Sequence, residues 1–125
     1  NNLILGNSAN NRLDGGGGID TLTGGEGDDT YVLRDTHQVV VEAVGQGTDT
    51  IETTINQPTF GMFGALNVEN LTFNGDGSAT LAGNTSANVL TGGNQADTIY
   101  GEAGDTLVGR GGDDLYLVPS HKGRI

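Results

Sequence analysis

The chain has no cysteine, no tryptophan, two prolines, 5% aromatic residues and only five basic residues in 125. Without cysteine, disulfide cross-links and cysteine-based zinc sites are excluded. Sixteen acidic residues against the five basic ones give a formal net charge of −11. Nucleic acid is bound through basic surfaces, so it is excluded as a partner, and anionic membrane surfaces are disfavoured for the same reason. No apolar run reaches membrane-spanning length, and no signal-peptide pattern is present. Hydrophobic residues make up 34% of the chain, too few for a thick helical core. A chain of one-domain length with so little to bury needs another source of stability, and bound metal is one. The usual catalytic patterns are missing too. Ser120-His121 lacks a nucleophile elbow, no lysine follows a glycine-rich turn as a P-loop requires, and no carboxylate pair is set apart as acid and base. His37 and His121 have no second soft ligand at metal spacing and read as surface residues.

What the chain has is glycine, 23 residues of it, and aspartate at fixed offsets from glycine. Residues 15–32 hold two consecutive copies of the nine-residue template Gly-Gly-x-Gly-x-Asp-x-apolar-x. Gly15, Gly16, Gly18 and Asp20 form the first copy, Gly24, Gly25, Gly27 and Asp29 the second. Glycine takes positive φ cheaply, so each copy starts with a tight turn. The three residues that follow can form only a short strand whose middle side chain points to one face. One unit is half a coil, and two make a coil of 18 residues. Coils stack at about 4.8 Å, which brings each template Asp close to its equivalent one coil away. Unscreened like charges that close repel by about 1 kcal/mol even in water. A hard cation reverses the sign, and calcium takes six to eight oxygens from carboxylates and backbone carbonyls.

This repeat resembles the RTX, or haemolysin-type calcium-binding, nonapeptide family. The resemblance implies an all-β fold, a parallel β-roll with Gly/Asp-rich calcium-binding turns, and Ca2+ as the bound ion. It also implies a secreted, extracellular bacterial protein exported by the type I route.

In chain order, Asn2 to Leu5 fit template positions six to nine, so the sequence starts inside a repeat and is expected to belong to a longer protein. Gly6 to Asp14 is a weaker unit, with Asn7 for the second glycine and Asn11 for the aspartate. Asn tolerates left-handed backbone. Such turns either stack without ions, or Asn11 lends an amide oxygen to a site shared with Asp29. Ile4, Leu13, Leu22 and Tyr31, nine apart, are expected to face inward, alternating between two sheets. Residues 34–82 keep a strand-and-turn rhythm, with strands expected at 39–42, 49–53, 68–73 and 80–82. Gly45, Gly47 and Asp49 preserve the turn, and Asp49, 20 residues after Asp29, is paired with it in a candidate site. The elements Tyr31-Val32, Val39 to Glu42, Gly45 to Ile51 and Val68 to Leu71 resemble the connector between RTX blocks. Acidic residues are common in that family near positions 34 and 38. Arg34 and Gln38 stand there, which puts an ion after Asp20 in doubt. Phe60, Met62 and Phe63 read as a plug over the core or as an aromatic ligand platform.

The second block begins at Gly83 to Leu90, echoing Gly6 to Leu13 at an offset of 77. Gly92, Gly93 and Asp97 echo the first copy at the same offset, and Gly109, Gly112 and Asp114 echo the second at 85. The difference is one extra eight-residue unit, 101–108, carrying Asp105. Asp97 and Asp114 are expected to share the best site of this block, with Asp105 facing Asn88 as a poorer pair. Pro119 lacks the amide proton a ladder needs, so the roll is expected to stop there.

The reading is one elongated β-roll over 1–125, with RTX blocks at 1–33 and 83–118, an irregular connector at 34–82 and a tail at 119–125. It is expected to act as a monomeric, non-catalytic calcium-binding module whose folding is coupled to the ion. The alternatives are a polysaccharide-binding module on a secreted carbohydrate-active enzyme, which a basic stripe of Arg12, Arg34 and Arg110 would favour, and a structural spacer or adhesin segment.

Overall fold

The computed structural model describes residues 1–58, 64 and 67–119. Phe60, Met62, Phe63, His121 and the rest of the tail beyond Pro119 lie outside the described residues. Within them the chain is all strand and turn: β1 (Leu3–Leu5), β2 (Arg12–Asp14), β3 (Thr21–Thr23), β4 (Thr30–Leu33), β5 (Val39–Val41), β6 (Thr50–Thr53), β7 (Asn70–Phe73), β8 (Thr80–Ala82), β9 (Val89–Thr91), β10 (Thr98–Tyr100), β11 (Thr106–Val108) and β12 (Leu115–Leu117). Most strands are three residues long, with one apolar side chain pointing inward between two that point out, while β4 and β7 extend to a second inward residue, Leu33 and Phe73. All pairings are parallel, and the architecture is a parallel β-roll.

One face is a continuous six-stranded sheet in the order β11-β9-β7-β6-β4-β2. The opposite face is split into β1-β3-β5 and β12-β10-β8. Two sheets were expected and three are found. The break has a local cause. The chain leaves β6 and enters β7 on the same sheet, and no described residue between them forms a strand for the other face. Asn56 partly fills the gap, its carbonyl accepting the Thr80 N–H of β8 at 2.8 Å. Inside, Leu13, Tyr31, Ile51, Leu71, Leu90 and Leu107 stand in register along the six-stranded sheet. Leu22 and Val40 on one side, and Leu81 and Ile99 on the other, close against them as one core. Ile4, Leu13, Leu22 and Tyr31 alternate between faces as their spacing predicts.

Candidate metal centre

The register places a polar residue at nearly every strand entrance. Along the edge where the chain enters the six-stranded sheet, the residues just before the strands are Asn11, Asp29, Asp49, Glu69, Asn88 and Asp105. Along the other edge they are Asn2, Asp20 and Gln38, then Ala79, Asp97 and Asp114. Backbone amides at these positions donate to the side chain of the next coil. Asn11 N–H meets Asp29 Oδ1, Asp29 N–H meets Asp49 Oδ1 and Asp49 N–H meets Glu69 Oε2, each at 2.8 Å. The second block repeats the pattern: Ala79 N–H to Asp97 Oδ1 and Asn88 N–H to Asp105 Oδ1 at 2.8 Å, and Asp97 N–H to Asp114 Oδ1 at 2.9 Å. The expected neighbours therefore sit on adjacent rungs, including Asp29 with Asp49 over 20 residues and Asp97 with Asp114 over 17.

The rungs differ in what the second oxygen does. Asp97 Oδ2 accepts the Gly93 N–H at 2.7 Å, and Asp105 Oδ2 accepts the Glu102 N–H at 2.7 Å. Asp29 Oδ2 and Asp49 Oδ2 are buried without a donor, and so is Glu42 Oε1. These three carboxylates offer oxygens that all lie within 4.8 Å of one another. An ion with calcium–oxygen distances of about 2.3–2.6 Å spans oxygens of roughly that separation. Three buried acceptors with no donor leave only a shared proton or a cation to compensate them. The donor set is all hard oxygen, which matches calcium and not a soft metal.

Local sequence builds this corner. The turns that carry Asp29 and Asp49 are glycine-rich, and a Cβ on Gly24 would collide with Asp29 Oδ2 and Tyr31 Oη. Tyr31 points inward from the middle of β4 and is fully buried. Its hydroxyl accepts the Gly24 N–H at 2.9 Å and donates to Glu42 Oε2, which leaves Oε1 free on the side of the two aspartates. Burial pushes the Asp49 carboxyl up to about 7, with the Glu42 and Glu69 charges acting in the same direction. Burial also raises Glu42 and, together with the Glu42 contact, the Tyr31 phenol.

Glu42 was missed as a site residue. The template alignment puts Val44 at position one of its turn, but β3 and β5 pair Thr23 with Val41, so Glu42 stands on the Gly24 rung. Counting one coil of 18 residues from Gly24 would have found it. Glu69 was read as part of a strand, yet it occupies an aspartate rung. Among the other expected residues, Gly16, Gly18, Gly25, Gly27, Gly45, Gly47 and Gly112 take positive φ in their turns. A Cβ on Gly15, Gly92 or Gly109 would collide with the rung carboxylate of its own turn, Asp20, Asp97 or Asp114. Of the two things asparagine can do in a turn, take left-handed backbone or hydrogen-bond to the backbone, these turns use the second. Asn7 and Asn84 cap their turns through Ala9 N–H and Ser86 N–H at 2.9 Å.

No basic stripe is present among the described residues. Arg12 pairs with Glu52 at 3.0 Å and Arg34 with Asp14, while Arg110 follows β11 at the far end of the sheet from β2. No described helix is long and apolar enough to cross a membrane.

In comparisons with known proteins, the model of the RTX calcium-binding nonapeptide repeat matches residues 1–34 and 73–105 in four copies. The chain is 38% identical over 79 residues to an endo-1,3-1,4-beta-glycanase, ExsH, of Rhizobium meliloti (strain 1021). That match takes in 63% of this chain and 16% of the glycanase, so the chain spans a small part of that relative's length. No solved structure matches.

Proposed function

The chain belongs to the RTX calcium-binding nonapeptide repeat family, and we propose that it is a non-catalytic module whose folding is switched by calcium at Asp29, Glu42 and Asp49. The observation that carries this reading is that three carboxylates gathered within 4.8 Å, at the corner where the first repeats meet the connector, each keep one buried oxygen without a donor. There calcium would supply the positive charge that no described donor supplies, and Tyr31 would hold Glu42 in place. Metal binding is then folding free energy. An ion at 100 times its dissociation constant adds about 2.7 kcal/mol, enough to decide whether so thin a roll folds.

Calcium is scarce inside cells and plentiful outside. The same switch suits a chain that is exported unfolded and folds after release, and this supports assignment to a secreted bacterial protein using the type I route. The glycanase relative supports a parent protein with an enzyme on another segment.

The test is far-UV circular dichroism in chelator, followed by titration with calcium and, as control, magnesium. A coil-to-β transition driven by calcium is expected, and Glu42→Gln should shift its midpoint at least about tenfold by removing one of three ligand charges. A spectrum already β in chelator and unmoved by calcium sinks the reading.

Polysaccharide attachment is a second reading, favoured by one surface feature. A groove of about 620 Å³ is lined by Tyr100, Tyr116, Glu102 and Pro119, with both tyrosines about half exposed. Aromatic faces with a polar tip suit sugar rings. Retention of the protein on immobilised β-glucan, lost in Tyr100→Ala, would support it.

A further inference from the structure

The Asp20 rung has the same repeat ancestry as the Asp29 rung but a different occupant. Gln38 enters β5 one coil after Asp20 and is completely buried. Its Nε2 donates to Asp20 Oδ2 at 2.9 Å and to the Gly16 carbonyl oxygen at 2.9 Å. Its Oε1 accepts the N–H groups of Arg34 at 2.7 Å and Asp35 at 3.0 Å. A primary amide has two N–H donors and two acceptor lone pairs, and all four are used. The opposite amide orientation would set Oε1 against a carboxylate and a carbonyl, so the network fixes which atom is which. Asp20 Oδ1 is also satisfied, by the Asn2 N–H at 2.8 Å.

The two oxygens that Nε2 bridges, a rung carboxylate and a turn carbonyl, are the kinds of ligand a hard cation takes. We propose that the Gln38 amide nitrogen stands where an ion would sit between these two turns, so that this rung is locked by hydrogen bonds and takes no calcium. Asn88 shows the same chemistry on the other edge. Its Nδ2 donates to the Glu69 carbonyl at 2.8 Å across the coil and to Asn84 Oδ1 at 3.0 Å within its own turn. The roll therefore holds more than one kind of staple. Amide rungs close without metal, and the carboxylate corner at Asp29, Glu42 and Asp49 closes with it. The nature of the ion rests on the calcium reading above, whereas the occupancy of the Asp20 rung does not.

The experiment counts bound calcium by equilibrium dialysis in the wild type, Gln38→Glu, Asp20→Asn and the double variant. Gln38→Glu turns the amide into a carboxylate of the same size and should add one ion to the wild-type number. Asp20→Asn should leave that number unchanged, and the double variant should return to it. A wild-type count that falls by one in Asp20→Asn overturns the proposal, because Asp20 would then be a ligand. So does a Gln38→Glu protein that gains none. Thermal unfolding gives a second readout that does not need Gln38→Glu to fold. Asp20→Asn should lower Tm by the same amount at every calcium concentration that folds the protein, so that the slope of Tm against calcium concentration is that of the wild type, and a smaller slope also overturns it. Glu42→Gln, dialysed alongside, separates the two ideas. If neither its calcium count nor the calcium concentration at half-occupancy differs from wild type, the carboxylate-corner reading fails, while the difference made by Gln38→Glu still decides the Asp20 rung.

Discussion

Arg110 holds a backbone that L-residues avoid. Its φ is 68°, and it is the one non-glycine residue at positive φ among the described residues. It stands at template position two, where Gly16 and Gly25 have φ of 74° and 95°. A left-handed non-glycine residue costs roughly 1–2 kcal/mol, against about 0.5–1 kcal/mol for the extra freedom glycine loses on folding. Arg110→Gly is therefore expected to stabilise the protein by about 0.5–1 kcal/mol, read as a higher urea midpoint at unchanged slope. At Gly24 the sign is opposite, since an added methyl meets Asp29 Oδ2 and Tyr31 Oη. Both atoms belong to the buried corner and have nowhere to go. Gly24→Ala should cost more than about 2 kcal/mol, as expected when a buried polar network is broken, and should weaken calcium binding measured by titration calorimetry. A calcium affinity equal to wild type would show that the corner does not hold the ion.

Elements of three or four residues cannot stand alone, and here each strand is held by its neighbours above and below and by one inward side chain. That makes the junction between blocks the weak point, because among the described residues no strand joins β5 to β8 on one face. Phe73, at the end of β7, is fully buried, and a Cβ on Gly75 or Gly93 would press on its ring. The two glycines make room for this large ring. Phe73→Ala should destabilise by about 3–5 kcal/mol. It should also separate the two blocks into distinct unfolding steps, visible as two transitions in calorimetry. The exposed pairs Arg12–Glu52 and Arg34–Asp14 cross strands on the outer face. They contribute little, since exposed ion pairs are worth about 0–1 kcal/mol.

For the whole molecule, the buried carboxylates set how stability follows pH. In the metal-free protein Asp49 is raised to about 7, mainly by burial, and Glu42 is raised by the same cause. A carboxyl raised on folding favours the fold while it is protonated, so that contribution is complete below the unfolded value of about 4 and disappears as pH rises through about 7. Asp14 and Asp35 are lowered, Asp14 by its hydrogen bond from Arg34 and Asp35 by that from the His37 backbone, but both are exposed and water screens their effect. The residual β content of the chain in chelator should therefore fall between about pH 4 and pH 7. With saturating calcium it should be flat or rise, because the ion takes the deprotonated form. Far-UV circular dichroism across that range decides it, and a chelator β content that rises with pH would contradict the buried corner.

Much of this was legible in the residues. Glycine at fixed spacing dictates the turn, one apolar residue per half-coil dictates a short strand with one inward face, and the nine-residue period dictates stacking in register. From these the parallel roll, the inward residues from Ile4 to Tyr31, and the pairing of Asp29 with Asp49 all followed. Tertiary structure decided which rungs are open. Glu42 reaches the Asp29 corner because β5 pairs with β3 in a register that a template search across the two-residue insertion does not see. Gln38 fills the Asp20 rung because one amide can serve a carboxylate, a carbonyl and two N–H groups only when two turns, 16–20 and 34–35, converge on it. A repeat pattern specifies where turns come. Whether an oxygen in a turn is left without a donor depends on the groups that the neighbouring coils bring to it.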